Sequence, residues 1–123
     1  MSDLHSRLEA APPPRRRADR ERAVLITHLV AYATGVSARE IAAPGRRAQP
    51  ASEARALAMY LCHVELSWPL SRVGAAFDRD RTTVGHACRR VEDRRDDAGF
   101  DARVSELGAC VRACPRGPEA FWG

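Results

Sequence analysis

The stretch Arg79-Asp80-Arg81-Thr82-Thr83, followed by His86 and Arg89, gathers side chains that hydrogen-bond to the edges of base pairs. Arginine presents a planar fork of donors that fits guanine O6 and N7, threonine bonds to several bases, and a carboxylate accepts from the cytosine amino group. No acid or nucleophile is spaced to pair with His86, so that residue packs or hydrogen-bonds rather than catalyses. The chemistry on offer is recognition.

Two helices must hold these groups. Leu70, Val73, Ala76 and Phe77 recur at helical spacing behind Pro69, whose missing N–H costs nothing at a helix start. That helix should end at Phe77. Asp78-Arg79-Asp80-Arg81 is too polar to bury and reads as a turn plus N-cap, with Asp80 or Thr82 as the capping residue. From Thr82, the residues Val84, Ala87, Cys88 and Val91 fall at intervals of three and four on one buried face. The opposite face is Thr82, Gly85, His86 and Arg89. Helix, tight turn and second helix make a helix-turn-helix, in which the start of the second helix reaches base edges in the major groove.

Val73-Gly74, Phe77, Arg79-Asp80, Thr82-Thr83-Val84, His86-Ala87-Cys88-Arg89 and Val91-Glu92 resemble the signature of the C-terminal DNA-binding domain of the bacterial replication initiator DnaA. The likeness extends through Ala58-Met59-Tyr60-Leu61 and more weakly back to about Val24, covering roughly residues 24 to 112. It implies a small all-helical domain whose second motif helix reads the initiator's box, while an arginine from an upstream basic loop enters the minor groove. Arg46 or Arg47 stands at the place of that arginine, and Arg55 matches a family arginine at the start of the following helix. The DNA-binding set is therefore Arg46, Arg47, Arg55, Arg79, Asp80, Arg81, Thr82, Thr83, His86 and Arg89. Several positions depart from the family. Asp78 stands alone where two small residues are common, Arg81 replaces a histidine, and Glu53-Ala54 replaces Arg-Pro. Glu53 adds a negative charge near the expected DNA backbone.

The rest of the chain fits one small domain. It has 123 residues, a net charge of +4 and 45% hydrophobic content, which allow a single core and a mildly basic surface. All 20 basic residues are arginine, so part of the excess reflects coding bias rather than ligand chemistry. No apolar run is long enough to span a bilayer, and no secretory leader is visible, so a cytoplasmic, nucleoid-associated protein is expected. Cys62, Cys88, Cys110 and Cys114 form no C-x-x-C pair, and no metal or other cofactor is expected.

Residues 1–18 read as a disordered Pro/Arg-rich leader, 19–114 as the DNA-binding domain and 115–123 as a tail. The fold class expected is all-α, a compact bundle of about five or six helices. Its first helix should run from about Asp19 to Thr34, with Val24, Leu25, Leu29, Val30 and Tyr32 as its apolar stripe. Ser37 and Glu40 suggest a capping box for a short helix. A helix from about Ala51 to Leu66 should direct Leu57, Ala58, Leu61 and Val64 inwards, with Met59 and Tyr60 flanking. Trp68 is expected to pack over the domain, and a last helix, about Asp101 to Ala113, should close it. Phe121-Trp122 either docks on a partner or folds back.

Two functions follow. The first is a stand-alone module that binds double-stranded DNA at initiator boxes or related sites and modulates replication initiation or transcription. The alternative is an adaptor that binds the initiator, its regulators or the replisome. Without a Gly-x-x-x-x-Gly-Lys loop, neither nucleotide binding nor enzymatic activity is expected.

Overall fold

Residues 49–65 are so rich in alanine and aliphatic side chains that their helix can be enclosed on all sides. The computed structural model, which describes residues 14–45 and 49–122, places that helix at the centre of the molecule. In chain order the helices are α1 (Pro14–Thr34), α2 (Ala38–Ala42), α3 (Gln49–Glu65), α4 (Leu70–Phe77), α5 (Arg81–Arg94), α6 (Ala98–Ala113) and α7 (Pro118–Trp122). Every residue from Ala54 to Cys62 is buried, and α1, α2, α4, α5 and α6 all pack on α3, α5 most extensively. Met59 and Tyr60 thus belong to the core rather than its flank, and Val64 is turned out to solvent.

Helix α1 differs from expectation in its start and its phase. It begins at Pro14, which suits the first helical position, so Arg15, Arg16 and Arg17 lie on exposed helical turns. The expected leader up to residue 13 lies outside the described residues. The buried stripe is Asp19, Ala23, Ile26, Thr27 and Val30, whereas Val24, Leu25 and Tyr32 face solvent. A tertiary contact accounts for that phase. Asp19 accepts two hydrogen bonds from Arg72 of α4, at 2.8 and 2.9 Å, and the Arg72 guanidinium lies 4.6 Å from the centre of the Trp68 ring. Trp68 is buried beneath it, as its apolar bulk demands. Residues on the Asp19 side of α1 are therefore turned towards α4.

Local signals set the other ends. Gly35, at φ +76°, stops α1 with its N–H on the Ala31 carbonyl. Ser37 caps α2 by accepting from the Glu40 N–H at 3.1 Å. Asp97 caps α6 three residues earlier than expected, accepting from the Phe100 N–H at 2.8 Å, so Gly99 lies within that helix. The short α7 leaves Phe121 and Trp122 exposed, stacked edge to face on each other rather than folded onto the core.

Candidate nucleic-acid interface

The turn between α4 and α5 closes through Gly74. Its carbonyl accepts from the N–H groups of both Asp78 and Arg79, the latter at 2.9 Å, and Asp78 adopts the left-handed conformation at φ 57°. A Cβ on Gly74 would collide with the backbone carbonyl oxygen of Arg79. The chain then extends at Asp80, whose carboxylate accepts from the Thr83 N–H at 2.8 Å. Asp80, not Thr82, is the cap. Its carboxyl is held below the usual range, first by the Thr83 N–H, then by the Thr83 side chain, the Thr82 N–H and the His86 charge.

Helix α5 has two clear faces. Val84, Ala87, Cys88 and Val91 are buried, while Arg81, Thr82, Thr83, His86, Arg89 and Arg90 are exposed. Gly85, expected on the outer face, is half-buried and faces Leu70 of α4. The outer face is instead extended by Arg90, which lies one turn beyond His86 and which sequence reasoning missed. Among the described residues the Arg81, Arg89 and Arg90 side chains have no hydrogen-bond or ion-pair partner, so their donors are available to a ligand.

Two arginines expected in the site have other work. Arg55 is buried, and its guanidinium donates to the carbonyls of Ile41 at 2.7 Å, Ala43 at 3.0 Å and Glu40 at 3.5 Å. Arg79 donates to Phe77 at 3.0 Å, Asp78 at 3.2 Å and, across the molecule, Ala43 at 2.8 Å. Carbonyls at a helix C-terminus lack intrahelical partners, and cationic donors are well suited to them. Arg55 thus clamps the end of α2, and Arg79 is a strut holding the turn against that end. Arg46 and Arg47 lie outside the described residues. Their loop begins at Pro44, directly after the clamped Ala43.

An open cleft of about 930 Å³ separates Pro44-Gly45 and the start of α3 from the Thr83, His86 and Arg90 side of α5. Glu53 lies in it, with Oε2 3.7 Å from Nη1 of Arg94 and Oε1 accepting from Gln49 at 3.1 Å. The acid expected near a DNA backbone is thus partnered with the last residue of α5.

The far end of α5, although rich in mixed charges, is anchored. Tyr60 donates to Glu92 at 2.5 Å and accepts from Arg95 at 3.0 Å, and Arg95 also donates to Asp101 at 2.5 Å and Ser105 at 3.1 Å. These bonds join α3, the end of α5 and α6. Burial, reinforced by donation to Glu92, pushes the Tyr60 hydroxyl above its ordinary pKa. Arg95, and Asp101 to which it donates in turn, lie beyond the motif, where no local pattern exposes them.

A family profile described as the bacterial dnaA protein helix-turn-helix matches residues 24–91. The chromosomal replication initiator protein DnaA of Aquifex aeolicus is 44% identical over 64 residues, which span 50% of this chain and 16% of that protein. The crystal structure of a DNA replication initiation factor superposes with a TM-score of 0.69 and 34% identity, covering 80% of this chain and 30% of that one. A replication initiator DnaA bound to AMPPCP and single-stranded DNA gives a TM-score of 0.68 and 33% identity over the same shares. This chain therefore spans only a small part of the length of these relatives. The matched region holds the closed turn, the Asp80 cap and the two-faced α5, and by these features the chain belongs to the bacterial DnaA helix-turn-helix family.

Proposed function

We propose that residues 19–114 form a module that binds double-stranded DNA at replication-initiator boxes or related sites, and so modulates chromosomal replication initiation or transcription. The observation that carries this reading is the outer face of α5. Arg81, Thr82, Thr83, His86 and Arg89 stand together at solvent on a helix fixed at both ends, and two of its arginines there have uncommitted donors. With α5 in the major groove, Arg81 at the first turn reaches guanine, where a bidentate contact is worth about 1–3 kcal/mol of discrimination. Arg89 and Arg90 suit phosphates, and Arg46 or Arg47 the adjacent minor groove. The role is binding, not catalysis, and nothing in it calls for a cofactor or bound nucleotide. A nucleoid location follows from it. No helix among the described residues is long and apolar enough to cross a membrane.

The test is titration of labelled duplexes carrying an initiator box or a scrambled sequence, with a single-stranded control, at two salt concentrations. Specific readout requires preference for the box or for a related sequence selected from random duplexes. Arg81→Ala should change that preference, and Arg47→Ala should mainly weaken binding. Equal, steeply salt-dependent binding to both duplexes would remove specific readout and leave the adaptor role.

A further inference from the structure

We propose that Glu53 restrains Arg94 by standing in for a DNA phosphate, which lowers the module's sequence-independent affinity and leaves discrimination to the base-reading residues. The inference rests on the duplex-binding reading but not on any preference for a particular box.

The cleft beside α5 is the natural path for a phosphate backbone running between the major-groove helix and the loop after Ala43. One wall supplies Arg90 and Arg94, and Glu53 faces them from the other. The carboxylate is aimed by Gln49, which donates to Oε1 at 3.1 Å, while Oε2 lies 3.7 Å from Arg94. The Arg94 guanidinium also rests on the Phe100 ring, 4.0 Å from its centre. Arg94 therefore has two contacts, one of them an ion pair longer than a hydrogen bond. Guanidinium binds carboxylate and phosphate through the same planar donor fork, so Glu53 and a DNA phosphate compete for one cation. Both side chains of the pair remain about half exposed, at 49% and 44%, so the pairing is water-accessible and exchangeable.

Each phosphate neutralised in B-DNA adds about 0.9 to the slope of log affinity against log salt. Freeing Arg94 should therefore add about one such contact. Between 50 and 200 mM salt, that corresponds to a further loss of affinity of about 3.5-fold.

The experiment uses the full chain, a scrambled duplex and fluorescence anisotropy across that salt range, with Glu53→Gln, Arg94→Ala and the double variant. Glutamine keeps the length of Glu53 and its bond to Gln49, and thermal melts check that each variant is folded. The expected result is tighter binding by Glu53→Gln at low salt, a slope steeper by about 0.9, and loss of both changes in the Arg94→Ala background. A gain that persists without Arg94 would overturn the inference, because Glu53 would then act by simple repulsion of DNA. Absence of any gain, including absence of measurable binding by every variant, overturns it as well. Failure of box recognition looks different: the wild type would bind box and scrambled duplexes alike, while the Glu53→Gln gain remained.

Discussion

Arg55 and Arg79 donate to the same acceptor, the carbonyl oxygen of Ala43, at 3.0 and 2.8 Å. One guanidinium comes from the central helix and the other from the motif's turn, so the root of the 44–48 loop and the start of α5 share a fixed point. This couples the two parts that the binding proposal assigns to neighbouring grooves.

Arg55→Ala should destabilise the fold by about 2–4 kcal/mol, because it deletes three charge-assisted bonds and leaves the buried Ile41 carbonyl without that donor. Arg79, less buried, should cost about 1–2 kcal/mol. Urea denaturation measures both. Arg55→Ala should leave the salt dependence of DNA binding unchanged in slope, since its guanidinium is enclosed. A slope shallower by about 0.9 would return Arg55 to the phosphate-contacting set.

The turn is the second place where a single atom matters. Gly74→Ala puts a methyl group into the Arg79 carbonyl, and backbone cannot yield as a flexible side chain does. A loss of about 1–3 kcal/mol is expected, together with weaker DNA binding as α5 shifts. Asp78 is the reverse case. It holds φ 57° with a side chain, at a steric cost of about 1–2 kcal/mol that glycine escapes. Glycine in turn loses more chain entropy, by roughly 0.5–1 kcal/mol. Asp78→Gly should thus be neutral or stabilising by up to about 1.5 kcal/mol, and Asp78→Val destabilising. Thermal melts of the two variants test the opposed signs.

The helix-turn-helix was legible because its determinants are local. Pro69, the polar turn, Asp80 and the spacing of Val84, Ala87, Cys88 and Val91 are all read within a few residues of where they act. Helix α1 was not legible in phase, since apolar residues surround it from Ala23 to Tyr32 and the buried side is set by Asp19 meeting Arg72 of α4. The clamp made by Arg55 was hidden for a related reason. Its residue type and position suit a phosphate contact, but its partners are carbonyls on α2, a helix that sequence pattern alone does not place beside it. Arg90 could have been found by continuing the exposed face of α5 one turn past His86.

Tyr60 yields a prediction in pH. Burial, then its bond to Glu92, raises the hydroxyl above its ordinary pKa, although Arg95 opposes the shift. A group raised in the folded state contributes stability that is fully present below its unfolded pKa, about 10 for tyrosine, and is lost as pH rises through the folded value. The urea midpoint should therefore fall as pH climbs beyond about 10. Tyr60→Phe should flatten that fall and delete the latest phase of the phenolate absorbance titration. At neutral pH it should cost about 1–2 kcal/mol, because Glu92 and Arg95 lose their shared partner. An unchanged alkaline limb would show that Tyr60 does not hold the end of α5.

The cysteines test whether α5 stays docked on the core. Burial pushes the Cys62 thiol up to about 12 and the Cys88 thiol up to about 11, whereas Cys110 is exposed and Cys114 partly so. Only the thiolate reacts, and at pH 8 a thiol of pKa 12 is ionised in roughly one molecule in ten thousand. A thiol reagent at pH 8 should label Cys110 and Cys114 in the native protein and reach Cys62 and Cys88 only in denaturant. These raised pKa values also favour the fold below about pH 8.5, the unfolded thiol value, and that contribution declines as pH rises through the folded ones. Cys88 lies on the buried side of α5, so its labelling rate measures how often that helix leaves α3. Labelling of Cys88 as fast as Cys110 in native buffer would mean that α5 detaches freely, and the rigid presentation of Arg81 to Arg89 would not hold.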